Sequence, residues 1–136
     1  MNQVFCDGDG EWLHLMRFSA GGIAFCADAG QIESVTVFDG ADADRVVWLR
    51  DELGCRGAAG QGAPVLFGVK TGAERQYRVV VDRMEDFCQV ACREIRPFPP
   101  LVERFALAKG LWGVVFPAGR PALLIDFLLL ARKKRT

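Results

Sequence analysis

Histidine is almost absent from this 136-residue chain: His14 is the only one. A Ser-His-Asp arrangement or a multi-histidine metal site could be built only around that single imidazole. It sits in Leu13-His14-Leu15-Met16, where alternation places it on the outward face of a strand. Net charge is absent too. Seventeen Lys+Arg balance seventeen Asp+Glu, so no overall field would recruit nucleic acid or an anionic membrane. The one run of like charge, Arg132, Lys133, Lys134 and Arg135, is expected to be a solvated terminal tail. No stretch reaches the roughly 18 apolar residues of a membrane span. Met1-Asn2-Gln3-Val4-Phe5 lacks the basic and then apolar regions of a secretion signal, so a cytoplasmic location without membrane insertion is expected.

A regular cysteine pattern is also missing. Cys6, Cys26, Cys55, Cys88 and Cys92 are odd in number and unevenly spaced, which argues against a secreted disulfide framework and for free thiols. Cys88 and Cys92 lie four apart on one predicted strand, ~13 Å from end to end, too far for a shared metal or a disulfide. On a helix they would share a face. A thiol- or metal-responsive domain using Cys88, Cys92 and either Cys55 or Cys6 is therefore the alternative reading. The stretch Gly54 to Gly62 lacks the lysine and hydroxyl of a phosphate-binding loop and reads as a flexible linker. Asp82, Glu85 and Asp86 could in principle do acid-base work, but they read as solvated turn charges. No nucleophile, base and oxyanion site can be assembled, so neither enzymatic activity nor a cofactor is expected.

What the sequence does have is apolar material, 51% against 25% charged residues, enough for a packed core in one domain. That material comes in short strand-like runs. Trp12 to Phe18 alternates near its centre, and Gly21-Gly22 then turns the chain into Ile23-Ala24-Phe25-Cys26, a β-hairpin. Ile32 to Phe38 reads as a third strand stopped by Asp39-Gly40. Residues 41 to 54 read as a short strand running into a helical turn. The glycines and alanines from Gly54 to Ala63 form a seam, dividing a single 1–136 domain into approximate halves 1–57 and 63–136.

Pro64 to Lys70 and Tyr77 to Asp82 read as an antiparallel pair, and Met84 to Cys92 as a further strand. Pro97-Phe98-Pro99-Pro100 must be a loop or edge, with a helix able to start at Pro100 and end before Gly110. Leu111 to Phe116 and Ala122 to Ile125 flank a proline- and glycine-bearing turn, and Asp126 caps a C-terminal helix beginning at Phe127. Nine or ten short strands with little helix give an all-β fold, sandwich or barrel. Trp12, Trp48 and Trp112 are expected mainly in the core, with one exposed tryptophan a plausible anchor for a partner.

Several of these pieces resemble the CheW family of chemotaxis coupling proteins. Tyr77-Arg78-Val79-Val80-Val81-Asp82-Arg83-Met84 resembles the family's tyrosine, glycine, two aliphatics, valine, aspartate strand, with Arg78 in place of the glycine. Ile95-Arg96-Pro97-Phe98-Pro99-Pro100 is similar to its isoleucine, any residue, proline, leucine, proline segment. Lys109 to Val115, followed by Gly119 to Leu130, resembles the closing hairpin and the helix that follows it. In the first half, Phe25 to Val35 resembles the strand, turn and strand that end in valine, any residue, glutamate, valine. Arg45 to Gly54 is similar to the next strand and helical turn. Between these last two, Asp39 to Asp44 stands where the family carries asparagine-leucine-arginine-glycine.

The resemblance implies a CheW-like all-β fold: two small five-stranded SH3-like barrels sharing a core, with a short C-terminal helix. It also implies a non-catalytic adaptor in chemotaxis-type signal transduction. Its partners would be the regulatory domain of a CheA-like histidine kinase, the cytoplasmic tip of a chemoreceptor, or both. The implied partner-binding residues are Ile32, Glu33 and Val35 on one lip of a groove, with Val80, Asp82 and Met84 on the other.

Overall fold

The structure, a computed structural model, describes residues 11–55, 63–72 and 76–134. Most of the seam, residues 56–62, lies outside them. The elements run β1 (Trp12–Ala20), β2 (Ile23–Asp28), β3 (Ile32–Val37), β4 (Val47–Trp48), α1 (Leu49–Glu52), β5 (Val65–Val69), β6 (Tyr77–Val81), β7 (Arg83–Ala91), α2 (Pro100–Ala108), β8 (Leu111–Val115), β9 (Ala122–Ile125) and α3 (Phe127–Lys134). The predicted strands form where expected, because turn chemistry punctuates them. Gly21 and Gly22 take positive φ between β1 and β2. Asp126 caps α3 by accepting from the Leu128 and Leu129 amides at 2.9 and 3.2 Å. That helix continues to Lys134, through most of the basic run expected to be a solvated tail.

Two sheets result, and each draws strands from both sides of the seam. The first has the order β7-β1-β2-β9-β8, with β2 and β9 parallel and the other pairs antiparallel. It curls toward closure: after β7 a short 3-10 turn delivers Arg96 to Val114 of β8, with a 2.8 Å bond in each direction. The second has the order β3-β5-β6-β4, in which only β4 and β6 are parallel.

The strands of the first sheet supply two apolar clusters from their opposite faces. On β1, Met16, Phe18 and Ala20 enter one cluster while Leu13 and Leu15 enter the other. Phe25 and Ala27 part from Cys26 in the same way on β2, and Ile125 from Ala122 and Leu124 on β9. A strand buried on both faces carries apolar residues without alternation. This explains runs such as Phe25-Cys26-Ala27.

Aromatic rings join the two sheets. Phe18 stacks on Phe25 and Phe127 at 5.8 and 5.7 Å and meets the edge of Phe67 on β5 at 5.3 Å. All four rings are fully buried, and such pairs add about 0.5–1.5 kcal/mol each beyond their area.

Candidate functional site

β3 lies at the edge of the second sheet, paired with β5 on one side and with no strand on the other among the described residues. Pairing in register sets Val35 opposite Phe67 and Val37 opposite Val65. Phe67 is fully buried and Val65 packs against the aromatic cluster, so both valines stand on the core-facing side of the sheet. They are nevertheless 39% and 67% exposed. The core-facing surface thus runs past the point where the protein covers it. Free N–H and C=O groups beside exposed valines are a ready template for another chain.

The surroundings blunt this edge at one end only. A bulge at Glu33 shifts the register between Ile32 and Ser34, and Gln76 donates to the Glu33 carboxylate at 2.6 Å. Gly68, opposite Ser34, has no side chain where Ser34 and Gln76 crowd in. Gln76 also lines a charged cavity with Asp42, Asp44, Arg45 and Arg78, in which Arg78 and Asp42 pair at 3.8 Å. Phe38, just past β3, meets Trp48 edge-on at 5.7 Å. An apolar strip with a polar rim is the common make-up of a recognition surface.

The six residues assigned to two lips do not form one groove. Glu33 and Val35 are exposed, and Ile32 is half-buried against the aromatic cluster. Val80, however, is fully buried on β6, between Leu66 of β5 and Trp48 of β4, so a partner cannot touch it. Asp82 is 6% exposed and accepts from the Gly21 amide at 2.8 Å, holding the β1–β2 turn. This corrects both its place on a lip and its reading as a solvated charge. Met84 is half-buried opposite Phe18 and packs on the aromatic cluster. β5 separates β3 from β6. Val37, the most exposed valine of β3, was not among the six. The alternation Val35-Thr36-Val37 puts it on the same face as Val35, but its exposure follows from strand order.

Other candidate chemistry is sparse. His14 is exposed and bonds Gln89 across the β1–β7 pair at 3.1 Å. Cys92 is disulfide-bonded, which corrects the reading of all five cysteines as free thiols and removes its sulfur from a Cys88–Cys92 site. Cys26, Cys55 and Cys88 are free. Among the described residues no three His, Cys, Asp or Glu side chains converge as a metal site would need. Nor, among them, is any helix long and apolar enough to cross a membrane. Trp12 is 52% exposed, contrary to its expected place in the core.

No family model matches the chain, and no curated protein matches it in sequence. In three dimensions it is similar to the crystal structure of the scaffolding protein TtCheW from Thermoanaerobacter tengcongensis, with a TM-score of 0.64 over 87% of this chain and 92% of that one. The fold is CheW-like. Sequence identity over that match is 15%, so it is the course of the backbone that the two share. Val35 and Val37 are the large hydrophobics exposed on the described strands of the second sheet.

Proposed function

We propose that this chain is a non-catalytic adaptor or scaffold domain in chemotaxis-type signal transduction, with the β3 edge as its docking surface. Its partners are the regulatory domain of a CheA-like histidine kinase, a chemoreceptor cytoplasmic tip, or both. The observation that carries this reading is the exposure of Val35 and Val37 on the core-facing side of an edge strand. The likeness to a scaffolding protein supports the same class.

Recognition by this surface needs no chemistry. An incoming strand would satisfy the free backbone groups of β3, and apolar side chains at alternate positions would cover the two valines. Glu33 and the Asp42–Arg78 pair at the rim would favour one orientation of the partner over others. Val35→Arg puts a cation where an apolar contact is required. Co-purification with a CheA-like regulatory domain, and separately with a receptor tip peptide, should be lost in this variant while the circular dichroism spectrum stays that of the parent. Capture of either partner at parental strength by Val35→Arg would sink the placement, and failure of the parent chain to capture either would sink the function.

A further inference from the structure

The curled sheet closes at a corner that a cysteine occupies. Cys92 follows β7 directly and opens the short 3-10 turn Cys92–Glu94, the turn that delivers Arg96 to Val114 of β8. It is 9% exposed and belongs to the second apolar cluster with Leu13, Val90 and Val115. Its amide donates to the Glu11 carbonyl at 2.9 Å, one residue beyond the Trp12–Ala91 pair that ends the β1–β7 ladder. The start of the described chain is therefore held against this corner.

A second tie to the corner is covalent. The chain has five cysteines, and Cys92 is disulfide-bonded. Cys26, Cys55 and Cys88 are free. A disulfide within one chain consumes two cysteines, which leaves Cys6 as the partner. Cys6 lies outside the described residues, but the chain joining it to Glu11 has the length required. Asp7-Gly8-Asp9-Gly10 separates the two, a span that reaches up to roughly 17 Å when extended, whereas a disulfide needs Cα atoms about 5.5–6 Å apart. Glu11 and Cys92 sit one strand spacing apart, about 4.8 Å, so the joining chain has to fold back on itself. Its two Asp-Gly dipeptides are of the kind that turn a chain.

We propose that Cys6 and Cys92 form a reversible disulfide that ties residues 1–10 to the closing corner of the curled sheet, so that the firmness of this corner depends on redox state. The bond forms by thiol–disulfide exchange with a small-molecule disulfide as the oxidant. One cysteine, as its thiolate, attacks the oxidant and expels a thiolate from it. The other cysteine then loses its proton, attacks the mixed disulfide and expels the second thiolate. Two protein thiols are oxidised and one disulfide is reduced to two thiols, and the two protons lost by the cysteines pass to the departing thiolates. A dithiol reductant runs the same steps backwards.

Opening the bond leaves every described strand pair in place, since β1 begins at Trp12. What is lost is a cross-link closing a loop from Cys6 to Cys92, most of the chain, and cross-links over long loops constrain the unfolded chain most. The bond depends on neither the β3 edge nor any partner.

The full chain is purified reduced, equilibrated with an oxidising glutathione buffer, and its remaining thiols are blocked with N-ethylmaleimide in denaturant. Peptide mapping by mass spectrometry without reductant should find Cys6 linked to Cys92, with Cys26, Cys55 and Cys88 alkylated. Dithiothreitol should release the pair, and a return to the oxidising buffer should restore it. In urea the oxidised parent should unfold at a midpoint about 1–2 M above that of the reduced parent. Cys6→Ser should unfold like the reduced parent in either buffer, and Cys55→Ser like the parent in both. Alkylated Cys92 in the oxidised parent, a bond from Cys92 to any thiol other than Cys6 of its own chain, or equal midpoints for oxidised and reduced parent would each overturn the proposal.

Discussion

The two sheets of this fold treat their edges in opposite ways: the five-stranded sheet bridges its two ends through Arg96 and Val114, while the four-stranded sheet leaves the outer side of β3 without a strand among the described residues. Inside the curled sheet the protein buries a charge, Arg17, held by Glu85 and the Pro117 carbonyl beside the thiols of Cys26 and the half-buried Cys88. On the open sheet it does the reverse and exposes Val35 and Val37, which its core could have used. The difference teaches that apolar burial is not maximised uniformly. Under the proposed function, the curled sheet holds structure and the open edge is the side offered to a partner.

The largest test of this division asks whether the sheets are one cooperative unit. Phe18 belongs to the curled sheet, yet it touches Phe67 of the open sheet and Phe127 of α3. Phe18→Ala should cost about 3–5 kcal/mol in urea unfolding, with a single transition kept and moved to lower denaturant. Two separated transitions would show that each sheet folds alone, and the contrast between them would then be one of domains.

Asp82 comes next, because it separates a structural role from a docking role. Its carboxylate is buried and holds the Gly21 amide, so Asp82→Ala should destabilise by about 1–3 kcal/mol through an orphaned donor. In the folded fraction, capture of the kinase regulatory domain should be unchanged. A loss of capture with unchanged stability would restore Asp82 to the docking surface.

Much of this was legible in the sequence, for reasons that differ by element. β1, β2 and β3 were visible because Gly21-Gly22 and Asp39-Gly40 bound runs of apolar and β-branched residues. The cap at Asp126 was visible because its partners lie two and three residues on. The burial of Asp82 was not, because the amide it holds is 61 residues away. Val80 was misplaced for a related reason: a valine run shows no period when both faces are covered. The exposure of Val37 was hidden by its identity. Only the end of the sheet, a property of strand order, reveals that an inward valine has nothing over it.

Alkaline pH probes the curled sheet from another side. Burial, reinforced by the neighbouring Cys88 thiol, pushes the Cys26 thiol up to about 12, and burial also raises the Tyr77 hydroxyl on β6 of the open sheet, which titrates alike in the parent and in a Cys26 variant. A group whose pKa is higher in the folded state stabilises fully below its unfolded value, and that contribution fades as pH rises through the folded value. Stability should therefore hold to about pH 9 and decline toward about pH 12. Cys26→Ala should start lower, because the packed sulfur is gone, and should decline less steeply. The comparison is a pH series of urea midpoints, and parallel curves would mean that Cys26 does not titrate in that window.

The smallest expected effect on stability belongs to the open edge. Val37 is 67% exposed, and Val37→Lys sets a charge on an edge strand, a substitution natural edges tolerate well. Its cost should fall within about 0.5 kcal/mol, as for surface positions generally. Binding should respond in the opposite proportion, because a lysine there would bury an unpaired charge against an incoming apolar strand. Isothermal titration with the kinase regulatory domain should show affinity lost by more than about tenfold, equivalent to about 1.4 kcal/mol. If affinity survives while stability falls by as much as it does for Asp82→Ala, the exposed valines serve the fold after all, and the two sheets differ in shape alone.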